Sequence, residues 1–335
     1  MGNFSSKEPL DDVEAGVSVH GIPRAARKWQ ACTPETIPIF SATAYFFARQ
    51  LHQELRVPVG IIEASWSGTA AEAWAPASVF EALGLQDELK HAANSPQQAA
   101  QTNIPTRLYN GMIHPLRNLR IKGVIWYQGE SNTQQADKYR GLFSTMIAQW
   151  RDTFGYEFPF YFVQIAPYGG YGVNAAYLRE AQFETMLSVP RTGMAVTMDL
   201  GNTDIHPKNK QEVGRRLALW ALANEYGQKD IVYSGLLYRD MKIEGSRIRL
   251  SFDYTGSGLT ARDDGPLTHF RVAGKDRKFV NATAIIEDDT VVVSSNDVSS
   301  PVAVRFAFTS EALPNLCNKE GLPASSFRTD DWPLE

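Results

Sequence analysis

The chain has 335 residues, of which 43% are hydrophobic and 21% are charged, and its formal net charge is -4. This composition is that of an ordinary globular protein, and the length allows a large domain plus a smaller one. Because Lys and Arg are scattered and the net charge is negative, strong attraction to nucleic acid or to an anionic membrane is excluded. No apolar run reaches the roughly 18 residues that a membrane-spanning helix needs.

Cysteine and histidine are sparse and widely spaced. The two cysteines, Cys32 and Cys317, exclude a disulfide framework and a cluster of thiolate metal ligands. The six histidines show no metal-ligand spacing such as HExxH, so no metal site is predicted. The first residues, "MGNFSSKEPLDD", lack the apolar core of a signal peptide, and they leave the localisation open.

The first predicted helix covers "SATAYFFARQLHQELR". Its apolar residues recur at helical spacing, and Ser41 is placed to cap its N-terminus. The run "VPVGIIEAS" at residues 57–65 comes next, and its β-branched, nearly uncharged composition predicts a buried strand.

Three further pairs of strand and helix are predicted downstream. The strands are "IKGVIWY" (121–127), "FPFYFVQIA" (158–166) and "GMAVTMDL" (193–200). The helices are 137–155, stopped by Gly155, then 175–188, and 209–227, closed by Gly227. Because parallel strands need helical crossovers, this alternation predicts a parallel α/β sheet, whose ligands lie beyond the carboxyl ends of the strands.

The pattern changes after about residue 230. Short strand-like runs such as "RIRLSF", "TVVVSS" and "VAVRFAF" alternate with Gly, Asp, Asn and Pro, and no helical period lies between them. We therefore predict an α/β domain over residues 1–228 and an antiparallel β domain over residues 229–335.

Polar groups and glycines follow the first two predicted strands. In "EASWSGTAAEAWAP" (63–76), the N–H of Gly68 has the freedom to stabilise an oxyanion, but spacing alone favours a plain tight turn. In "YQGESN" (127–132), Gln128, Glu130, Ser131 and Asn132 crowd one strand end. A functional role and a helix-capping role are both open there.

The third and fourth strands are followed by loops of different character. The loop "APYGGYGVN" is rich in glycine and matches no nucleotide-binding motif, so it is predicted to be a loop only. After the fourth strand come Asp199, Asp204 and His206. Because a carboxylate can fix the tautomer of a nearby histidine, this group predicts a histidine base.

Several blocks at consistent spacing carry a resemblance to a known family. The blocks "VPVGIIEASWSGTAAEAW", "LYNGMIHPLRNLRIKGVIWYQGESN" and "DIHPKNKQEVGRRLAL" resemble the sialate O-acetylesterases of the SGNH hydrolase superfamily. The runs "GLTARDDGPLTHFRVAGKDRKF" and "NLCNKEGLPASSFRTDDWP" resemble the β domain of those proteins. The resemblance implies a flavodoxin-like three-layer core with a parallel sheet, plus a smaller C-terminal antiparallel β domain.

The resemblance also implies a function and roles. It implies removal of O-acetyl groups from sialic acid or a related acetylated sugar by a serine nucleophile and a histidine base. No cofactor, nucleic acid or membrane takes part, and the oligomeric state is open. His206 matches the base and Gly68 an oxyanion donor. The block with Gln128, Glu130 and Asn132 completes the oxyanion hole, and either Asp204 or Asp199 supports the base.

The sequence departs from the family pattern at two places. The usual Trp-Gly-Gly-Thr reads Trp66-Ser67-Gly68-Thr69, and the Gly-Gln-Ser-Asn-Met block that carries the nucleophile is absent from the 335 residues. Residues 28–50 resemble the family's segment directly downstream of that block, so we expect a sheet without its first strand and a chain that begins after its nucleophile. Ser65, Ser67 and Ser131 are weak substitutes. The alternative function is a catalytically inactive, carbohydrate-binding relative.

Overall fold

A computed structural model describes residues 8–9, 17–19, 22–24, 29–94, 103–201 and 204–333. Two short strands near the start, β1 (Val17–Val19) and β2 (Ile22–Arg24), pair antiparallel with each other. The described helices are α1 (Ala42–Leu55), α2 (Ala77–Ala82), α3 (Gln86–Asn94), α4 (Ala136–Phe154), α5 (Asn174–Ser188) and α6 (Lys210–Glu225). None of these helices is both long enough and apolar enough to cross a bilayer.

A three-stranded parallel sheet lies at the centre of the helical part, in the order β3-β4-β5. The strands are β3 (Val124–Trp126), β4 (Phe160–Val163) and β5 (Thr192–Ala195). Side chains of β4 alternate between the two faces. Phe162 contacts Phe143 of α4, whereas Tyr161 contacts Trp220 of α6. Helices therefore cover both faces, and the predicted three-layer α/β fold is confirmed.

The ends of the long helices follow from local sequence. The Ser41 hydroxyl accepts a hydrogen bond from the Ala44 N–H at 3.3 Å and caps α1. Gly155, in the left-handed conformation at φ 76°, ends α4. Both predicted helix ends are confirmed.

The strand predicted at residues 57–65 is wrong. This segment is irregular and forms no ladder with any described strand. Val57 and Ile62 remain 45% and 40% exposed, so the apolar run is not buried. A run of β-branched residues becomes a strand only where a neighbouring strand supplies hydrogen-bond partners, and composition does not report that neighbour.

The part of the chain after α6 is built from strands, and no helix lies within its described residues. Strands β9, β10, β13 and β15 form one four-stranded antiparallel sheet, and β6, β7, β11 and β12 form another. Two further strands, β8 and β14, pair with each other. The strands are β6 (Leu237–Glu244), β7 (Arg247–Asp253), β8 (Leu259–Ala261), β9 (Phe270–Ala273), β10 (Val280–Asn281), β11 (Thr283–Glu287), β12 (Thr290–Ser294), β13 (Ala303–Phe306), β14 (Leu316–Asn318) and β15 (Phe327–Arg328).

One apolar core runs through both parts of the chain. Phe252 of one β sheet contacts Phe327 of the other, with ring centroids 5.8 Å apart. Toward the parallel sheet, the Gln164 amide donates to the Ser325 hydroxyl at 2.8 Å. The division at residue 228 stays a prediction, because a shared core does not show whether either part folds alone.

Candidate active site

The turn at residues 66–72 presents a free backbone donor. Gly68 has a φ of 72°, which disfavours other residue types, and an added Cβ would meet no atom within 4 Å. The glycine is therefore required for backbone conformation rather than for space. Gly68 is exposed, and its N–H donates none of the hydrogen bonds found among the described residues. This N–H is available to stabilise a negatively charged oxygen.

The 127–132 segment after β3 is bonded directly to this turn. The Gln128 amide donates to the Thr69 carbonyl at 3.2 Å and to Asn132 Oδ1 at 2.7 Å. Asn132 Oδ1 also accepts from the Ala71 N–H at 2.9 Å, and its Nδ2 donates to Glu72 Oε2 at 2.8 Å. The two segments are far apart in sequence, yet they form one buried network. Within it, the Gln128 and Asn132 amides position the loop that carries the free Gly68 N–H.

Glu130 lies between this network and the helix α6. Burial raises the pKa of Glu130, and the positive charges of Lys210 and His206 oppose that rise. Lys210 donates to the Tyr127 hydroxyl at 3.3 Å and lies 4.5 Å from the centre of its ring. Burial lowers the pKa of Lys210 and raises that of Tyr127.

His206 lies on an open loop just before α6, beside Asp204. Its ring Nδ1 is 3.5 Å from Asp204 Oδ1, which also accepts the His206 backbone N–H at 3.0 Å. This hydrogen bond, with the charges of His206 and Lys208, holds the pKa of Asp204 below its usual range. The His206 side chain is 73% exposed, so a substrate can reach it. Within the described residues, no serine hydroxyl bonds to its ring.

Asp199 has a different environment. It is 8% exposed and accepts two hydrogen bonds from the Arg216 guanidinium, at 2.6 and 2.7 Å. Arg262 approaches the same carboxylate at 3.5 Å. The structure thus brings Asp204 to His206, and it pairs Asp199 with arginines.

The three candidate serines lie on the same loops. The Ser65 hydroxyl donates to Glu63 Oε1 at 2.7 Å, while Ser67 and Ser131 are exposed. The described residues hold no group of three or more His, Cys, Asp or Glu side chains arranged to bind a metal.

Some residues of this site were not singled out from the sequence. Glu72 and Tyr127 took no part in the prediction because their partners lie far along the chain. Lys210 had a visible signal, because it stands four positions after His206 at the start of the predicted helix that follows this loop.

Comparisons with known proteins agree on one family. A sequence model of the family described as "Carbohydrate esterase, sialic acid-specific acetylesterase" matches residues 27–223. The mouse (Mus musculus) sialate O-acetylesterase is 34% identical to this chain, over 80% of this chain and 59% of that protein. The human (Homo sapiens) sialate O-acetylesterase is 30% identical, over 91% of this chain and 65% of that protein.

A solved structure is similar to nearly the whole chain. It is the crystal structure of a carbohydrate acetylesterase from Xanthomonas citri, and it superposes with a TM-score of 0.86 at 41% sequence identity. The match covers 98% of this chain and 72% of that one. The chain thus spans less than two thirds of the mouse and human relatives and nearly three quarters of the bacterial one.

Proposed function

Because the chain belongs to the family of sialic acid-specific carbohydrate acetylesterases, we propose that it removes O-acetyl groups from sialic acid or a related acetylated sugar. The observation that carries this proposal is the Asp204–His206 pair on the loop before α6, since Lys210 at the start of that helix bonds to Tyr127 of the 127–132 segment. That segment is bonded in turn to the loop with the free Gly68 N–H. A histidine base and an oxyanion donor are groups that acyl transfer needs in one site.

In the proposed reaction, His206 removes the proton of a hydroxyl nucleophile as its oxygen attacks the acetyl carbonyl. Asp204 holds the ring and stabilises the imidazolium that forms. The electron pair of the carbonyl moves to its oxygen, and the Gly68 N–H donates to that oxyanion. When the intermediate collapses, the bond to the sugar oxygen breaks and His206 returns the proton to it. Water then attacks the acetyl-enzyme in the same way, and acetate leaves.

The proposal is tested by acetate release from an O-acetylated sialic acid and from an aryl acetate. In a form extended at its N-terminus by a strand with the family's serine block, we expect the His206→Ala variant to lose roughly a hundredfold or more of the rate, the usual contribution of a general base. The matched control is His91→Ala, an exposed histidine on α3. Hydrolysis that survives His206→Ala unchanged would disprove the proposed mechanism.

The nucleophile is tested separately. The 335 residues contain no Gly-Gln-Ser-Asn-Met block, so we expect the chain to turn over well below roughly 1 s⁻¹. A form extended at its N-terminus by a strand with that block should be much faster, and should depend on His206. If the unextended chain already works at an ordinary enzyme rate, single alanine variants of Ser65, Ser67 and Ser131 will identify its nucleophile.

A second function is a carbohydrate-binding protein without turnover. It is favoured by the absence of a serine hydroxyl bonded to the His206 ring within the described residues. Saturable binding of the O-acetylated sugar, with no acetate released even by the extended form, would establish this alternative.

A further inference from the structure

A cavity of about 550 Å³ lies between the glycine-rich loop after β4 and the C-terminal strands. Gly169, Gly172 and Val173 line one side, and Arg271, Phe279 and Arg305 line the other. We call this space the arginine cleft. Gly68, Gln128 and His206 are not part of it. Its volume is in the range of known small-molecule sites, about 300–1,000 Å³.

The arginines of this cleft differ in how far their charge is compensated. Arg305 is buried, pairs with Asp330 at 2.7 Å and lies 4.1 Å from the centre of the Phe279 ring. Arg271 and Arg277 are exposed, and neither forms an ion pair with a carboxylate among the described residues. Arg271 uses one N–H on the Phe279 carbonyl, at 2.6 Å. The guanidinium groups of Arg271 and Arg277 therefore have N–H donors and positive charge that a ligand can use. A carboxylate matches the paired N–H geometry of a guanidinium group.

The other side chains that line the cleft can contact the ring and the hydroxyl groups of a sugar. Trp332 lies with its ring 5.9 Å from that of Phe279, and the Arg277 guanidinium is 5.2 Å from the Trp332 ring. On the opposite side, Glu311 is exposed and lies against Gly169, where an added Cβ would come within 2.9 Å of its Oε2. The Glu311 carboxylate can accept hydrogen bonds from the hydroxyl groups of a ligand. It repels a ligand that carries negative charge on the side facing it.

We propose that the arginine cleft is a second ligand site, which binds a sugar bearing a carboxylate. The acid contacts Arg271 and Arg277, the ring lies by Phe279 and Trp332, and the hydroxyl groups face Glu311. A role in holding an acidic unit of the esterified glycan rests on the proposed function, whereas binding itself does not.

The test is calorimetric or NMR titration of the full chain with N-acetylneuraminic acid and with glucuronic acid. Neither probe carries an acetyl ester. Their methyl esters remove the charge and keep the ring, and inorganic phosphate keeps the charge and removes the ring. We expect saturable binding of the acids, and binding weaker by about tenfold or more for the methyl esters and for phosphate.

Variants locate the binding. The double variant Arg271→Gln, Arg277→Gln should lose about tenfold or more in affinity for the acids. The matched control Arg239→Gln removes an exposed arginine of β6 outside the cleft and should bind normally. A second variant, Val173→Glu, adds a negative charge at a 55% exposed position of the cleft and should also weaken binding.

Several outcomes would overturn the proposal. They are the absence of saturable binding, equal affinity for acids and methyl esters, phosphate binding as tight as that of the acids, and an equal loss in the Arg239→Gln control. Binding of the acids without acetate release, even by the form extended with the serine block, refutes the proposed esterase alone. Hydrolysis of esters without binding of the acids refutes the cleft alone.

Discussion

A carboxylate supports a histidine base only where its oxygens reach the ring. Asp204 contacts His206 at 3.5 Å on an exposed loop, whereas both oxygens of the buried Asp199 are held by Arg216. The two acids therefore have separable effects, Asp204 on rate and Asp199 on stability. Sequence alone left this choice open because the partner of Asp199 lies 17 residues further along, on α6.

The Asp199→Asn variant should lower the free energy of unfolding by about 1–3 kcal/mol, because it weakens the charge-assisted hydrogen bonds of the buried Arg216 and leaves Glu212 as its remaining carboxylate partner. The Asp204→Asn variant should leave the urea midpoint nearly unchanged. Equal losses of stability in the two variants would contradict this assignment.

Asp204→Asn should have the larger effect on the hydrolysis rate, although Asp199→Asn has the larger effect on stability. Asp204→Asn should lower the His206-dependent hydrolysis of an aryl acetate by about tenfold, less than for a buried triad acid, because water screens the exposed pair. Since the pKa of Asp204 lies below its usual range, its carboxylate stays charged as the pH falls to about 4. Its contribution to the rate should therefore be lost only at still lower pH. A pH profile of kcat/KM for both variants measures this.

Glu130 should make the free energy of unfolding fall as the pH rises. A carboxylate whose pKa is lowered by an ion pair has the opposite effect. Burial raises its pKa in the folded protein, so folding favours the protonated form. Its stabilising effect is full below the ordinary glutamate pKa of about 4.3 and is lost as the pH rises through the folded pKa. In Glu130→Gln this loss is absent, so the variant should gain stability relative to the parent between pH 4 and pH 7. Melting temperatures across that range check this, and parallel curves would contradict it.

At the scale of elements, local signals located most of the helices and the three strands of the parallel sheet. Hydrophobic period, the Ser41 cap and the Gly155 stop are properties of short segments, and they predicted α1 and α4. The prediction of a strand at 57–65 was wrong because a strand needs a neighbouring strand to supply hydrogen-bond partners. Helices α2 and α3 were missed because the first is one and a half turns long and the second lies in a polar run.

The candidate site was predictable only in part, for a related reason. Each loop that follows a strand was visible as a polar or glycine-rich segment, but the bonds between loops were not. Asn132 meets Ala71 and Glu72 across about 60 residues of sequence. The arginine cleft draws on several separate segments. The runs that contain Arg271 and Trp332 resemble the family's β domain, but the sequence does not show that they meet in one cleft.

The loop after β3 is tightly enclosed, which gives a prediction for Gly129. An added Cβ there would lie 2.6 Å from Ile165 and 2.9 Å from Leu178. Gly129 also has a φ of 157°, which residues with a Cβ rarely adopt. Gly129→Ala should therefore cost about 1–3 kcal/mol or more, from overpacking and backbone strain together. The matched control is Gly141→Ala in α4, where the nearest atom is 3.7 Å away. There the change should stabilise by about 0.5–1 kcal/mol, since alanine favours a helix. Urea unfolding measures the free energy of unfolding of both variants. Equal losses in Gly129→Ala and Gly141→Ala would contradict the steric cause.

At the scale of the whole molecule, the two parts share their stabilising contacts. The buried Arg179 of α5 donates to the Thr309 and Ser310 carbonyls of the C-terminal part, each at 2.7 Å. It also donates to the Ile165 carbonyl, next to the loop after β4, at 3.2 Å. Arg328 of β15 pairs with Glu180 on the same helix at 2.7 Å. Helix α5 is therefore one element that holds the C-terminal part to the loops at the carboxyl edge of the parallel sheet, beside direct bonds such as that from the Tyr168 N–H to the Ser310 carbonyl at 3.0 Å.

This shared core predicts that both parts unfold together. Native-state hydrogen exchange should give the amides of β4 and β13 the same free energy of opening. Arg179→Gln should lower both values equally, by about 3 kcal/mol, because buried carbonyls lose their charged donor. The control Arg191→Gln removes a half-exposed ion pair with Glu225 and should cost under about 1 kcal/mol. If β13 opens at lower free energy while β4 keeps its protection, the parts unfold independently. The division at residue 228 then separates two domains in the thermodynamic sense, and the coupling assigned to Arg179 is wrong.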